Sequence, residues 1–357
     1  MTALDTCSPA LRKRLSLPFE LWPESDRKAW TAACQPASRL KRGGAAGHLR
    51  QASRETHERH YGNFLGFLDR NGLLRLDAAA AAHVTPENVD AYLAEAKARM
   101  SSTTVAVAIF CLRRAARYMV PGLELDWLNE IAKDLAIVAH PGSKSDRWVL
   151  PERLIEAALT LFQEAVNSQA MTQLAQATQV RNGLMLAMLG FHPIRRKNLA
   201  ALDLGRSFVK IRDRWWIILS AAETKEKRAD ERRVNKMLLP FVDRYLDLYR
   251  PVLLRPGSPP AALWLSSRHG ARLSEKYIER LVGVTTLSTV GVKVTPHLFR
   301  TAAGSAAALY GGENPHLGSA VLHNADPRVT QDHYNRATSL SAGESLRQVI
   351  RQYEKPD

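Results

Sequence analysis

Five residues in the second half of the sequence bear groups whose types and order could do chemistry together. Arg195 follows an apolar stretch, Lys225 lies in a charged segment, His297 and Arg300 stand three apart, and Tyr334 comes downstream. Singly, each reads as an ordinary residue: a surface arginine, one lysine among many, a half-buried aromatic. As a set they offer two guanidiniums, an imidazole, an ammonium and a phenol. That set suits attack on a phosphodiester, which builds negative charge on the non-bridging oxygens and is favoured by cations fixed around them. Other catalytic signatures are absent: there is no GxxxxGK[ST], no GxGxxG after a strand, no HExxH and no GxSxG. In His57-Glu58-Arg59-His60 the histidines are three apart instead of four, which predicts a solvated helix face and not a metal site.

In their order these residues resemble the catalytic set of the tyrosine recombinase (phage-integrase) family. The stretch Leu189-Gly190-Phe191-His192-Pro193-Ile194-Arg195-Arg196-Lys197-Asn198-Leu199-Ala200-Ala201-Leu202-Asp203 looks like that family's first-arginine box. Thr224-Lys225 sits where the family has its hairpin lysine, and Pro296-His297-Leu298-Phe299-Arg300 matches its His-x-x-Arg motif. Asp326-Pro327-Arg328-Val329-Thr330-Gln331-Asp332-His333-Tyr334 matches the segment ending in the nucleophile. The resemblance spans roughly residues 150–350, while residues 49–138 are similar only in size and character to the family's core-binding domain.

The resemblance implies that Tyr334 attacks a scissile phosphate, giving a 3′-phosphotyrosyl enzyme and a free 5′-hydroxyl, and that the hydroxyl of a partner duplex reverses the step. The covalent bond stores the phosphodiester's energy, so no ATP, metal or other cofactor is expected. The implied partners are double-stranded DNA carrying an inverted-repeat site, held in a C-shaped clamp of two domains, and further copies of the chain, forming a tetramer on DNA. Residues 338–353 are then a helix that docks on a neighbouring copy or packs on its own domain.

Physical chemistry assigns compatible roles. Arg195 and Arg300 suit a phosphate clamp, and His297, one turn before Arg300, can donate a further hydrogen bond or assist proton transfer. A tyrosine with an ordinary pKa near 10 needs a base or a strongly cationic site to become phenolate. Lys225, with a pKa lowered by neighbouring cations, is a credible proton donor to the leaving 5′-oxygen. Two positions depart from the family pattern. Asn198 stands where an acidic residue often buttresses the first arginine, and the place of the second histidine falls on His323 or Asn324, either of which can donate to phosphate. These departures keep two alternatives in view: a catalytically impaired DNA-binding clamp protein, and a type IB-like topoisomerase using the same nucleophile.

The elements that must position such a site are mainly helical. Residues 1–48 read as a basic N-terminal extension, with Arg39-Leu40-Lys41-Arg42-Gly43-Gly44 at its centre. Residues 49–140 form a small helical domain: aromatic residues cluster over 51–67, Thr85-Pro86-Glu87 caps a second helix, and further helices are predicted over 102–119 and around Trp127 and Ile131. Arg113, Arg114 and Arg117, near the end of the third, are candidates for phosphate contact. A linker of 141–150 leads to a catalytic domain, 151–357, with helices over 152–166 and 175–189. Three short apolar stretches, 208–211, 215–219 and 234–239, predict a small antiparallel sheet. Helices return over 241–249, 275–281, 298–309 and 338–353. The expected fold class is therefore mainly α with a small antiparallel β-sheet (α+β).

Composition narrows the partner. Fifty Lys+Arg against thirty-five Asp+Glu give a formal charge of +15, the balance of a protein that neutralises a polyanion. No apolar run is long enough to span a bilayer and no export signal opens the sequence, so a cytoplasmic, nucleoid-associated place and no membrane partner are expected. Cys7, Cys34 and Cys111 are odd in number, scattered and without CxxC spacing, which suggests neither a disulfide framework nor a zinc site; Cys111, in an apolar run, predicts a buried thiol.

Overall fold

Hydroxyl side chains start four of the longer helices. In the computed structural model, which describes residues 15–40, 42–140, 147, 149–310 and 322, Thr85, Ser101, Thr172 and Ser274 accept backbone N–H bonds from Asn88, Thr104, Ala175 and Tyr277. Each such cap contributes about 1 kcal/mol. The chain divides into two compact units, Met1–Ser143 and Lys144–Asp357. Among the described residues no helix is long and apolar enough to cross a membrane.

The first unit comprises α1 (Glu24–Ala33), α2 (Gln51–Arg70), α3 (Pro86–Arg99), α4 (Ser102–Met119) and α5 (Asp126–Ile137). Its core is built from Tyr61, Phe64, Leu65 and Leu68 of α2, Val89 and Tyr92 of α3, Ile109 and Leu112 of α4, and Leu128. Within the described part of the expected extension, Trp22, Trp30, Ala33 and Ala46 belong to this core. That part is therefore no loose arm. Trp30 donates its indole N–H to Glu58 at 2.8 Å, and the buried Asp26 carboxylate accepts the Ala81 N–H at 2.7 Å. The chain before α1 crosses α2 at Gly62, where Leu17 N–H bonds to the Gly62 carbonyl at 2.8 Å. A Cβ on Gly62 would lie 2.6 Å from the Leu17 oxygen, so only glycine admits the crossing.

The expectation of a solvated face at His57 and His60 is also overturned. Both are buried, because α1 and α4 cover that side of α2: the His57 ring lies 6.4 Å from Trp30 and 5.8 Å from Tyr118. Burial lowers both imidazole pKa values and keeps them neutral. Among the described residues no group of three or more His, Cys, Asp or Glu side chains is placed to hold a metal ion. Cys111 is buried as its apolar run predicts, and burial pushes its thiol up to about 11.

The second unit begins with α6 (Pro151–Asn167) and α7 (Gln173–Phe191). They pack closely at Gly183, where a Cβ would meet the Ala158 oxygen and Phe162 nitrogen at 2.9 Å. Residues 184–189 of α7 are buried all round, so this helix is the centre of the unit. Its buried Arg181 donates to the Asn182 side-chain oxygen at 3.1 and 2.8 Å and to the Leu265 carbonyl at 2.6 Å. A short α8 (Arg196–Ala200) leads to the sheet.

The strands β1 (Phe208–Ile211), β2 (Arg214–Leu219) and β3 (Asp230–Arg233) form an antiparallel meander in the order β1-β2-β3. Ile211 pairs with Arg214, leaving a two-residue turn in which Arg212 takes a φ of 53°. The third strand is not the apolar stretch 234–239 but the charged Asp230–Arg233, paired from Leu219↔Asp230 to Trp216↔Arg233. Its inward positions hold an ion pair: Arg232 bonds Asp230 at 2.8 and 2.9 Å. Two-residue spacing places both on one face of the strand, so polar residues replace the apolar alternation. The stretch 234–239 instead holds the 3₁₀ turn Lys236–Leu238. It leads into α9 (Leu239–Arg244), a π-helical turn over Tyr245–Tyr249, and α10 (Arg250–Leu253); α11 (Glu275–Val290) and α12 (Pro296–Tyr310) complete the described unit.

Candidate active site

The arginine box is built by ending one helix and starting another within four residues. α7 stops at His192, Ile194 N–H turns back to the His192 carbonyl at 2.6 Å, and Arg195 occupies the N-cap of α8 with extended backbone. Proline at 193 suits this break because it removes a helical N–H donor and pushes the preceding residue out of the α region. The turn is pinned on both sides. His192 Nε2 accepts the backbone N–H of Asn235 at 3.1 Å, and the Pro193 carbonyl accepts Nη1 of Arg300 from α12.

Arg300 thereby bonds the chain two residues before Arg195, close enough for the charge of Arg195 to act on it. It is buried, and its Nη2 donates to the Leu322 carbonyl at 2.6 Å. Burial, then the charges of Arg195 and Arg232, bring its pKa down to about 10, with Asp230 and Glu226 opposing the shift. It therefore remains a cation at neutral pH. Arg195 donates Nη2 to Glu226 at 2.7 Å, with 24% of its own side chain and 21% of Glu226 exposed. The Arg195 side chain is therefore partly open to solvent.

The remaining candidates fall as follows. Lys225 is exposed on the loop joining β2 to β3, one residue before the Glu226 that bonds Arg195. His297 is exposed in the first turn of α12, one turn before Arg300. Tyr334, His323 and Asn324 lie outside the described residues. Arg113, Arg114 and Arg117 belong to α4 of the first unit. Arg117 is exposed, whereas Arg114 is partly buried, bonds the Tyr118 hydroxyl and lies over the rings of Phe110 and Tyr118 at 5.8 and 5.0 Å.

Three residues escaped the sequence reading: Glu226, Asp230 and Arg232. Asp230 and Arg232 had a signal in their two-residue spacing. Glu226 had none beyond lying in a run of charges. Asn198 is buried in α8, and the carboxylate beside Arg195 comes from the hairpin loop instead.

His192 gives this corner a pH response. Burial holds its pKa at about 4, against an ordinary value of 6.5. Between those values the unfolded chain binds a proton that the folded one does not, so stability is full above about 6.5 and falls as pH drops toward 4. Urea midpoints measured from pH 7.5 to 4.5 are expected to decline, and to decline less steeply in His192→Gln. Equal slopes would count against a buried neutral imidazole.

No protein-family model and no curated protein sequence matches the chain. Solved structures do. A crystal structure of XerH site-specific recombinase, bound to its difH substrate in a pre-cleavage complex, shares the fold with a TM-score of 0.53 at 11% identity, over 79% of this chain and 76% of that one. The chain has the tyrosine recombinase fold. Two further matches are weaker: XerA recombinase, with a TM-score of 0.38 at 19% identity over 88% and 95% of the two chains, and a post-cleavage XerH complex on palindromic difH, with 0.47 at 11% over 90% and 99%. Within a tyrosine recombinase fold, Arg195 and Arg300 meet at the junction of α7, α8 and α12.

Proposed function

We propose that the chain is a site-specific DNA recombinase that cuts and rejoins duplex DNA through a 3′-phosphotyrosyl intermediate on Tyr334. The observation that carries this reading is the meeting of Arg195 and Arg300, 105 positions apart in sequence, within a tyrosine recombinase fold. Two guanidiniums, one buried and one partly open, stabilise charge that develops on a phosphate's equatorial oxygens more than they stabilise the ground state. Lys225, carried beside them, donates a proton to the leaving 5′-oxygen, and His297 adds a hydrogen bond to the phosphate. His323 or Asn324 supplies a further donor.

The +15 charge favours DNA binding with a steep salt dependence. A tetramer on an inverted-repeat site would cut two duplexes on both sides of a crossover, in the cytoplasm at the nucleoid. The deciding experiment incubates the wild-type chain with a nicked duplex whose cleaved fragment diffuses away, and maps the covalent DNA–peptide adduct. Adduct at Tyr334 is expected. Salt-sensitive binding with no adduct would leave a non-catalytic clamp, and supercoil relaxation without exchange between two defined sites would mark a topoisomerase.

A further inference from the structure

The loop that carries Lys225 is shaped from within. Leu219 and Asp230 close the β2–β3 ladder, so residues 220–229 must turn the chain. Glu223 braces the start of that turn: its Oε2 accepts the backbone N–H and the hydroxyl of Ser220 at 2.9 and 2.8 Å, and its Oε1 accepts Arg206 at 2.6 Å. Buried Thr224 closes the tip, its hydroxyl donating to the Arg228 carbonyl at 2.7 Å and accepting the Arg228 N–H at 3.1 Å. Within that closure Lys227 takes a φ of 54°. The tip therefore has a defined shape of its own.

What ties this tip to the arginine box is the bond from Arg195 to Glu226, 31 residues apart. Both partners are partly buried, so the pair is worth more than an exposed surface bridge. Asn198, buried in α8, carries no carboxylate, and the one that meets Arg195 comes from Glu226. Glu226 is also near enough to Arg300 for its charge to act on that guanidinium. We propose that Glu226 is the positioning residue of this site: its carboxylate orients Arg195 and, through the same ion pair, holds the Lys225 loop beside it. This inference rests on the recombinase reading.

A negative charge beside a phosphate site opposes DNA binding while it orders the cations that do the chemistry. Removing it therefore separates binding from turnover, which loss of folding would not do. The experiment compares wild type, Glu226→Ala and Glu226→Gln by single-turnover cleavage of the nicked duplex and by DNA affinity. It adds the same duplex with sulfur at the scissile 5′-bridging position, whose thiolate leaves without a proton, and hydrogen exchange of backbone amides 224–228 in the free protein.

Glu226→Ala is expected to cleave about 10- to 100-fold more slowly, the loss typical of misplaced catalytic groups, with DNA affinity unchanged or tighter. Glu226→Gln, which keeps an acceptor, should fall between the two, and the sulfur substrate should recover part of the loss. Exchange over 224–228 should quicken in Glu226→Ala. Wild-type cleavage by Glu226→Ala, or unchanged exchange, overturns the proposal. If the wild type forms no adduct while exchange still quickens in Glu226→Ala, the recombinase reading fails and the tie between Glu226 and Arg195 stands.

Discussion

Tyr334→Phe is expected to leave no protein–DNA adduct on the nicked duplex while binding the same duplex within a few-fold of wild type. The substitution removes one oxygen and keeps the ring, so any packing the tyrosine makes is largely preserved. Binding is expected to survive because the charge that attracts DNA is spread over fifty Lys and Arg side chains. Covalent chemistry is not so distributed. A phenol with an ordinary pKa near 10 is almost wholly protonated at neutral pH, and the gathered cations Arg195, Arg232 and Arg300 are what would favour its phenolate. Without the hydroxyl there is no nucleophile for those cations to activate. Denaturing electrophoresis of labelled DNA reads the outcome directly, and adduct that persists in Tyr334→Phe would assign the nucleophile elsewhere.

How far the sequence revealed the fold differs between the two units. Helices α2 to α6 were legible because their apolar residues recur at helical spacing, with a recognisable cap at Thr85-Pro86, and α7 because it is a long apolar run. The extension was expected to hold short helices at most, and Pro23, Glu24 and Asp26 do start one, α1, but the basic residues around Arg39–Arg42 dominate the composition and hide that it joins the core. Trp22 and Trp30 were the better guide, since two tryptophans in a segment of tail-like composition need a core to enter. Strand β3 was misplaced for a related reason. Its inward residues, Asp230 and Arg232, satisfy each other, so the period-two signal was carried by charge and not by hydrophobicity.

The candidate site was legible where residue identity and order single out a motif. Arg195 and Arg300 each follow a local motif, and the structure brings them to one corner by the bond between Arg300 and the Pro193 carbonyl. Glu226 was not legible, because nothing local distinguishes it from its charged neighbours; only the folding of the β2–β3 loop against α8 selects it. The absence of a carboxylate at Asn198 was the clue that one must come from elsewhere. It could not say from where.

Arg300→Ala is expected to lower the rate of adduct formation by at least about 10²–10³, the usual cost of removing one preorganised donor to a developing oxyanion. Arg300 has a second task, since its two terminal nitrogens hold the Pro193 and Leu322 carbonyls. Alanine leaves those groups without that donor, at a cost of roughly 1–3 kcal/mol each if no water replaces it. A fall in urea midpoint is therefore expected together with the loss of rate, and cleavage should be compared at a temperature where both proteins are folded. Arg300→Lys separates the two tasks. It keeps the charge but not the planar fork, so it should regain part of the stability while cleavage stays low, with DNA affinity within a few-fold of wild type in both variants. Affinity that falls in step with cleavage in both variants would make Arg300 a phosphate anchor and move the transition-state role to Arg195. Because Arg300's pKa of about 10 keeps it charged through the neutral range, a rate that rises between pH 6 and 8 would have to come from another group. In a site of this composition that group is His297 or the phenol of Tyr334: loss of the slope in His297→Gln would assign it to His297, and its survival to Tyr334.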